Sequence, residues 1–223
     1  MALDQETLNQ FVDSVRRYVR DRLIPLEMQV AEEDLIPEDV ISEMKEMGLF
    51  GLSIPEEFGG LGLSMAEEGA IIQEMGYTSP VFRSTFGTNV GIGSQGIVID
   101  GTPEQKAQYL PKLASGELIG SFALTEADAG SDAGSVMTSA RREGDEYVIN
   151  GSKRFITNAT RAGVFTVMAR TGTREEGGRG VSAFLVDATL AGISLGSRIR
   201  KWAKKARIPA TSSSTMCEFR PML

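Results

Sequence analysis

Residues 122–135 read Phe122-Ala123-Leu124-Thr125-Glu126-Ala127-Asp128-Ala129-Gly130-Ser131-Asp132-Ala133-Gly134-Ser135. An apolar segment of strand character (Ile119, Phe122, Leu124) stops at Thr125 and Glu126, and a loop of small residues follows. Small side chains leave backbone N–H groups uncovered, so a ligand bearing carbonyl or phosphate oxygens can approach closely. Thr125 and Ser131 add hydroxyls able to donate or accept. This chemistry suits a large polar cofactor lying along a strand end. Composition alone favours a plainer reading, a Gly/Ser surface turn.

The hydrophobic period changes across this stretch. Beyond about Ile119 it is two, with candidate strands at 119–124, 136–142, 146–149, 153–156, 164–170 and 181–187. Asn150-Gly151 predicts a hairpin turn between the third and fourth of these, because both residues tolerate positive φ. Gly144-Asp145 marks another turn, and residues 171–180 read as an exposed loop. Upstream the pattern is helical. Leu8, Phe11, Val12, Val15, Tyr18 and Val19 form one stripe that Asp4 can cap and Pro25 breaks. Pro37 opens a helix with Val40, Ile41, Met44 and Met47 on one face and Gly48 at its end. Ser64 with Glu67 predicts a capping box before a helix running to Met75 and Gly76. Thr102-Pro103-Glu104-Gln105 begins another, ending near Leu110 and Pro111. The Met and aromatic stripes are core packing. Helices followed by strands, without alternation, predict an α+β chain, with an all-α domain over 1–117 and a separate β domain over 118–197.

Composition excludes several function classes. The 223-residue chain is 41% hydrophobic with a formal charge of −7, and no basic face in residues 1–197 points to nucleic acid. It has no histidine, so neither a Ser-His-Asp or Cys-His nucleophile nor a His-ligated metal site can form. A lone Cys217 excludes an intrachain disulfide and a thiolate metal cluster. No catalytic residue and no metal ligand is assigned within the chain, and borrowed cofactor chemistry is the expected means. Asp4 and Glu6 stand where a signal peptide needs positive charge, and no apolar run approaches a membrane span. A cytoplasmic location is expected, with the mitochondrial matrix as the alternative. Gly91-Ile92-Gly93-Ser94-Gln95-Gly96 matches a dinucleotide fingerprint, but no strand pattern precedes it, and close approach of neighbouring helices explains it better.

Three segments carry a resemblance. Residues 125–132 resemble the first signature of the acyl-CoA dehydrogenase family, usually Thr-Glu-Pro-x-Ala-Gly-Ser-Asp. Asp145-Glu146-Tyr147-Val148-Ile149-Asn150-Gly151-Ser152-Lys153-Arg154-Phe155-Ile156-Thr157-Asn158-Ala159 resembles its segment ending in Trp-Ile-Thr-Asn-Ala. Ile54-Pro55-Glu56-Glu57-Phe58-Gly59-Gly60-Leu61-Gly62 resembles its helix-linking loop. The resemblance covers about residues 5–197.

The resemblance implies a helical domain followed by an antiparallel, β-barrel-like middle domain, truncated here before a C-terminal helical bundle. It also implies an FAD-dependent flavoprotein of fatty acid metabolism. An acyl-CoA thioester loses an α-proton to a carboxylate base while the β-hydride passes to the flavin, and hydrogen bonds to the thioester carbonyl stabilise the developing enolate. Carried over by position, Phe122, Leu124 and Thr125 border the flavin ring, and Gly130 and Ser131 reach the end of the FAD stretch. Ser131 also touches the acyl-CoA, while Phe155, Ile156 and Thr157 line the flavin. Ala127 replaces the usual Pro and loosens a turn. Phe155 replaces the commoner Trp and lacks its indole donor. Glu126 is expected to stabilise its loop, because the family's base lies in the C-terminal domain. Implied partners are an electron-transfer flavoprotein as acceptor and further copies of the chain, in a dimer or tetramer, with no nucleic acid and no membrane. The alternatives are a non-catalytic truncated remnant and an acyl-CoA oxidase on the same scaffold.

Residues 198–223 break with this pattern, holding seven Lys or Arg against one Glu. Arg198-Ile199-Arg200-Lys201-Trp202-Ala203 can be encoded by bases that, read one position earlier, give Pro-Asp-Lys-Lys-Met-Gly, which family members commonly show here. The tail is therefore expected to be a frameshifted segment without a consistent fold.

Overall fold

The structure, a computed structural model, describes residues 4–196 and, as backbone only, 214–219. The chain divides into two compact units between Leu118 and Ile119.

The first unit is helical. Helix α1 (Gln5–Tyr18) is capped by Asp4, whose carboxylate accepts from the Thr7 amide at 2.8 Å. Pro25 does not end this segment as the sequence predicts. A π turn (Val19–Leu23) and a 3-10 turn (Ile24–Leu26) carry the chain past it into α2 (Glu27–Glu33). Pro25 falls in the opening turn of that 3-10 segment, where a missing N–H costs little. Val19 and Leu23 meanwhile stay buried.

Helix α3 (Glu38–Glu46) follows, and α4 (Met65–Met75) begins with the expected Ser64–Glu67 capping box. Helices α5 (Pro80–Val90) and α6 (Gln95–Asp100) flank residues 91–94. A helix rather than a strand therefore precedes the glycines, and the dinucleotide fingerprint has no structural basis there. Helix α7 (Pro103–Ala114) opens with the Thr102–Gln105 box and continues through Pro111 to Ala114, a turn beyond its expected end. Phe50, Phe82, Phe86 and Met44 are fully buried at the centre of this unit, with Phe50 edge-on to Phe86.

The second unit is a sheet of β1 (Gly120–Ala123), β2 (Ser139–Glu143), β3 (Glu146–Thr157), β4 (Val164–Arg170), β5 (Val181–Asp187), β6 (Ile193–Leu195) and β7 (Ser214–Phe219). The strand order is β1-β4-β2-β3-β7-β6, with β5 also paired to β4. Gly144 at φ +66 turns β2 into β3 with Asp145, as the sequence predicts.

Three expectations change. The sheet is mixed rather than antiparallel, because β1 pairs β4 in parallel with Phe122 opposite Thr166. The intervening β2–β3 hairpin brings the chain back in the same direction. Among the described residues the sheet is also open rather than barrel-like. Second, Asn150-Gly151 is no hairpin turn, since β3 runs unbroken through it. A Cβ on Gly151 would lie 2.4 Å from Thr138 Oγ1 and 2.6 Å from Thr138 Cα, so glycine is needed there for close backbone approach. Third, part of the tail has regular backbone: β7 pairs antiparallel with β3 and β6. The rest of the tail, Trp202 included, lies outside the described residues. The β unit closes over Ala123, Ile156, Ala159, Phe165, Val167 and Val186.

Candidate functional site

Two segments that the sequence separates by some thirty residues meet where β1 ends. Ser121 Oγ donates to the Thr157 carbonyl at 2.5 Å, and the Arg154 amide donates to the Thr125 carbonyl at 2.7 Å. Lys153 Nζ donates to the Leu124 carbonyl at 3.0 Å. These three bonds hold residues 121–125 alongside residues 153–157.

Below them lies a buried ion pair. Lys153 Nζ stands 2.7 Å from Glu126 Oε1, with the side chains 0% and 8% exposed. Glu126 also accepts from the backbone amides of Met137 at 2.6 Å and Thr138 at 2.9 Å. Burial pushes its pKa up, but the hydrogen bonds from Lys153, Thr138 and Met137 outweigh that and hold the carboxyl below the usual value. An ionised carboxylate with both oxygens committed is a structural group, in keeping with the loop-stabilising role expected of it.

The strand above this pair is irregular. Strict alternation would put Phe155 on the same face as Lys153. Instead both Arg154 and Phe155 are exposed, while Lys153 and Ile156 on either side are buried. The pairing of β3 with β7 shifts register between Lys153 and Ile156, and Phe155 sits at φ +60. A bulge with one extra residue accounts for both observations. Left-handed φ is costly for a bulky residue, and such strain collects at functional positions. The Phe155 ring is 49% exposed and carries the Arg154 guanidinium 4.6 Å from its centroid.

The glycine loop is held at its far end. Arg170 Nε donates to the Val136 carbonyl at 3.0 Å, and its Nη2 donates to that of Gly134. Arg170 Nη1 donates to the carbonyls of Thr173 at 2.9 Å and Gly177 at 3.1 Å. One guanidinium thus fastens the 134–136 backbone to the loop after β4.

The expected residues are therefore placed unequally. Phe122, Leu124, Thr125 and Thr157 are half-buried and lie in the two segments bonded together, with Phe155 exposed beside them. Ile156 is turned into the core and offers a ligand only its backbone. Gly130 and Ser131 are exposed on the loop itself. The joined segments carry half-buried Phe122, Leu124, Thr125 and Thr157 beside exposed Phe155, an apolar and hydroxyl-bearing set that suits a flat, amphipathic ring.

Sequence reasoning missed Lys153 and Arg170. A lone lysine facing the core of a period-two strand was the available signal for Lys153. Arg170 has no local signal, because its partners come from two loops.

Known proteins resemble the chain over most of its length. Residues 5–117 match the family model described as acyl-CoA dehydrogenase, N-terminal domain, and residues 121–216 match the middle domain of the same family. The chain is 42% identical to a (2S)-methylsuccinyl-CoA dehydrogenase from Cereibacter sphaeroides over 188 residues, covering 83% of this chain and 34% of the relative. Among solved structures, a glutaryl-coenzyme A dehydrogenase in complex with glutaryl-CoA superposes with a TM-score of 0.88 at 31% identity, over 99% of this chain and 55% of that one. An acyl-CoA dehydrogenase complexed with FAD from Bacillus anthracis gives a TM-score of 0.82 at 32% identity, over 97% and 36%. The chain spans a third to a half of the length of the curated relatives it matches. Among the described residues no helix is long and apolar enough to cross a membrane.

Proposed function

The chain belongs to the acyl-CoA dehydrogenase family, and from that premise we propose that it serves the FAD-dependent α,β-dehydrogenation of an acyl-CoA thioester. The observation that carries this reading is the joining of residues 121–125 to residues 153–157, Leu124 and Thr125 through Lys153 and Arg154 and Ser121 through Thr157, beside an exposed Phe155 held at positive φ. Those residues fit a flavin ring. Backbone and hydroxyl groups of Phe122, Leu124, Thr125 and Thr157 border it, the backbone of Ile156 lines it, and Phe155 offers an aromatic surface. Gly130 and Ser131 extend the same path, with Ser131 also facing the acyl-CoA.

FAD, when bound, supplies the two-electron acceptor for the substrate's β-hydrogen. The chain's own contribution is to hold ring and acyl group in register and to exclude water, which is where positioning catalysis gains its orders of magnitude. The Glu126 carboxylate is committed to Lys153 and two amides, so a base for the α-proton must come from elsewhere. The proposal includes an electron-transfer flavoprotein as electron acceptor and self-association into a dimer or tetramer.

A second reading is a remnant that binds ligand weakly without turnover. It is favoured by the commitment of the site's buried carboxylate, Glu126, to Lys153 and two amides. Titrating FAD into the purified chain and following flavin absorbance separates the two readings from one with no flavin site. A saturable, red-shifted flavin spectrum supports the site, and an unaltered free-flavin spectrum at millimolar protein rejects it. Assaying the complex with dye and with oxygen then separates dehydrogenase from oxidase.

A further inference from the structure

A wholly buried lysine is rare, because an ammonium loses its hydration and the partner's charge only partly repays the loss. Lys153 is such a lysine, at 0% exposure, and an apolar pair of similar size would fill the same space without that penalty. What the ion pair contributes instead is direction. Lys153 Nζ bonds Glu126 Oε1 and the Leu124 carbonyl, while Glu126 bonds the amides of Met137 and Thr138. The pair therefore anchors β3, the end of β1 and the start of β2 to one point. The strand can leave that point only with Lys153 turned inward. The next inward residue is Ile156, not Phe155, so two residues stand outside where alternation allows one.

We propose that Lys153 and Glu126 are positioning residues for the flavin-facing surface, setting the spacing between Leu124-Thr125 and Phe155–Thr157 and holding Phe155 outward on its bulge. The inference rests on the flavin-site reading above. It assigns the pair no contact with ligand. Neutralised against each other beneath the surface, the two charges also leave the face above them to be read as backbone and ring. An unpaired charge there would attract water to a surface that works by excluding it.

The test is E126Q/K153M, which replaces the pair with neutral groups of similar size and leaves an amide oxygen for one of the two amides, Met137 or Thr138, that Glu126 accepts from. Three measurements are made on the full chain: the melting temperature, amide exchange with the intraresidue HN–Hα NOE of Phe155, and quenching of FAD fluorescence. The variant should melt within a few degrees of the wild type, since apolar substitutes for buried ion pairs are often neutral in stability. It should nonetheless lose the strong Phe155 HN–Hα NOE that positive φ produces. Amides 124–125 and 155–157 should exchange at least tenfold faster, and FAD affinity should fall at least tenfold. A pair that acts only on stability would move the melting temperature and leave the Phe155 NOE and the local exchange as in the wild type, and that result overturns the proposal. If the wild type fails to quench FAD while NOE and exchange still change, the positioning role stands and the flavin reading falls. Should the double variant not fold, E126D keeps the charge one methylene short, and an unchanged NOE and unchanged exchange there likewise overturn the proposal.

Discussion

A β-carbon on Gly151 would come within 2.4 Å of Thr138 Oγ1 and 2.6 Å of Thr138 Cα, so β3 can pass the start of β2 only because residue 151 has no side chain. Gly151→Ala should therefore destabilise the β unit by about 1–3 kcal/mol, the range for overpacking. Its urea midpoint, read from β-sheet signals, should fall with the slope unchanged. Asn150→Ala is the control. If Asn150-Gly151 were an ordinary turn, the two substitutions would cost similar amounts.

Acid should act through Glu126. Its carboxyl is held below the ordinary carboxylate value, so its folded pKa lies under its unfolded one. A depressed carboxylate contributes stability that is fully present above the unfolded pKa, about 4.3, and is lost as pH falls through the folded value. Unfolding measured from pH 7 to pH 2 should thus show wild type losing stability mainly below about pH 4. Glu126→Gln should be less stable at pH 7 and flatter across that window. Parallel curves for the two proteins would remove the Glu126–Lys153 pair from the account.

Arg170→Met should loosen two loops at once. The guanidinium donates to four carbonyls, those of Gly134, Val136, Thr173 and Gly177. Losing a charged donor to the part-buried carbonyls of Gly134, Val136 and Gly177 should cost about 2 kcal/mol. Hydrogen exchange should speed up at residues 130–136 and 172–178 together while β4 and β5 remain protected. Faster exchange in only one loop would show that the guanidinium does not couple them.

The flavin-site reading gives an expectation for Thr157. Protein loaded with FAD should bleach on addition of a saturated acyl-CoA. In that protein Thr157→Ala should slow flavin reduction more than it weakens acyl-CoA binding, and an unchanged reduction rate would strike Thr157 from the site.

Much of this was legible because the signals are local. Both capping boxes, the Asp4 cap, the Gly144-Asp145 turn and the spans of β4 and β5 follow from neighbours within a few residues. The misreadings share one cause, contacts distant in sequence. Asn150-Gly151 carries a strong hairpin signal, yet Thr138 decides what residue 151 must be. Pro25 reads as a breaker, yet the burial of Val19 and Leu23 keeps the helical path going. The parallel pairing of β1 with β4 leaves no mark in the period of either strand. Of the site, the two motifs could be read from sequence, but the lysine beneath them and the bulge above it needed the fold.

That parallel pairing also sets an order of assembly at the ribosome. Gly120 faces Val164 and Ala123 faces Val167, so among the described residues β1 has no strand partner until the chain has grown through β4. At about 5–20 residues per second the wait is on the order of seconds, with the helical unit already synthesised and the edge of β1 unsatisfied. The β2–β3 hairpin, joined by two residues, can form meanwhile. A nascent chain halted before Val164 should therefore hold a protease-resistant helical unit, while β1 and the loop through Ser135 remain open to cleavage or chaperone capture.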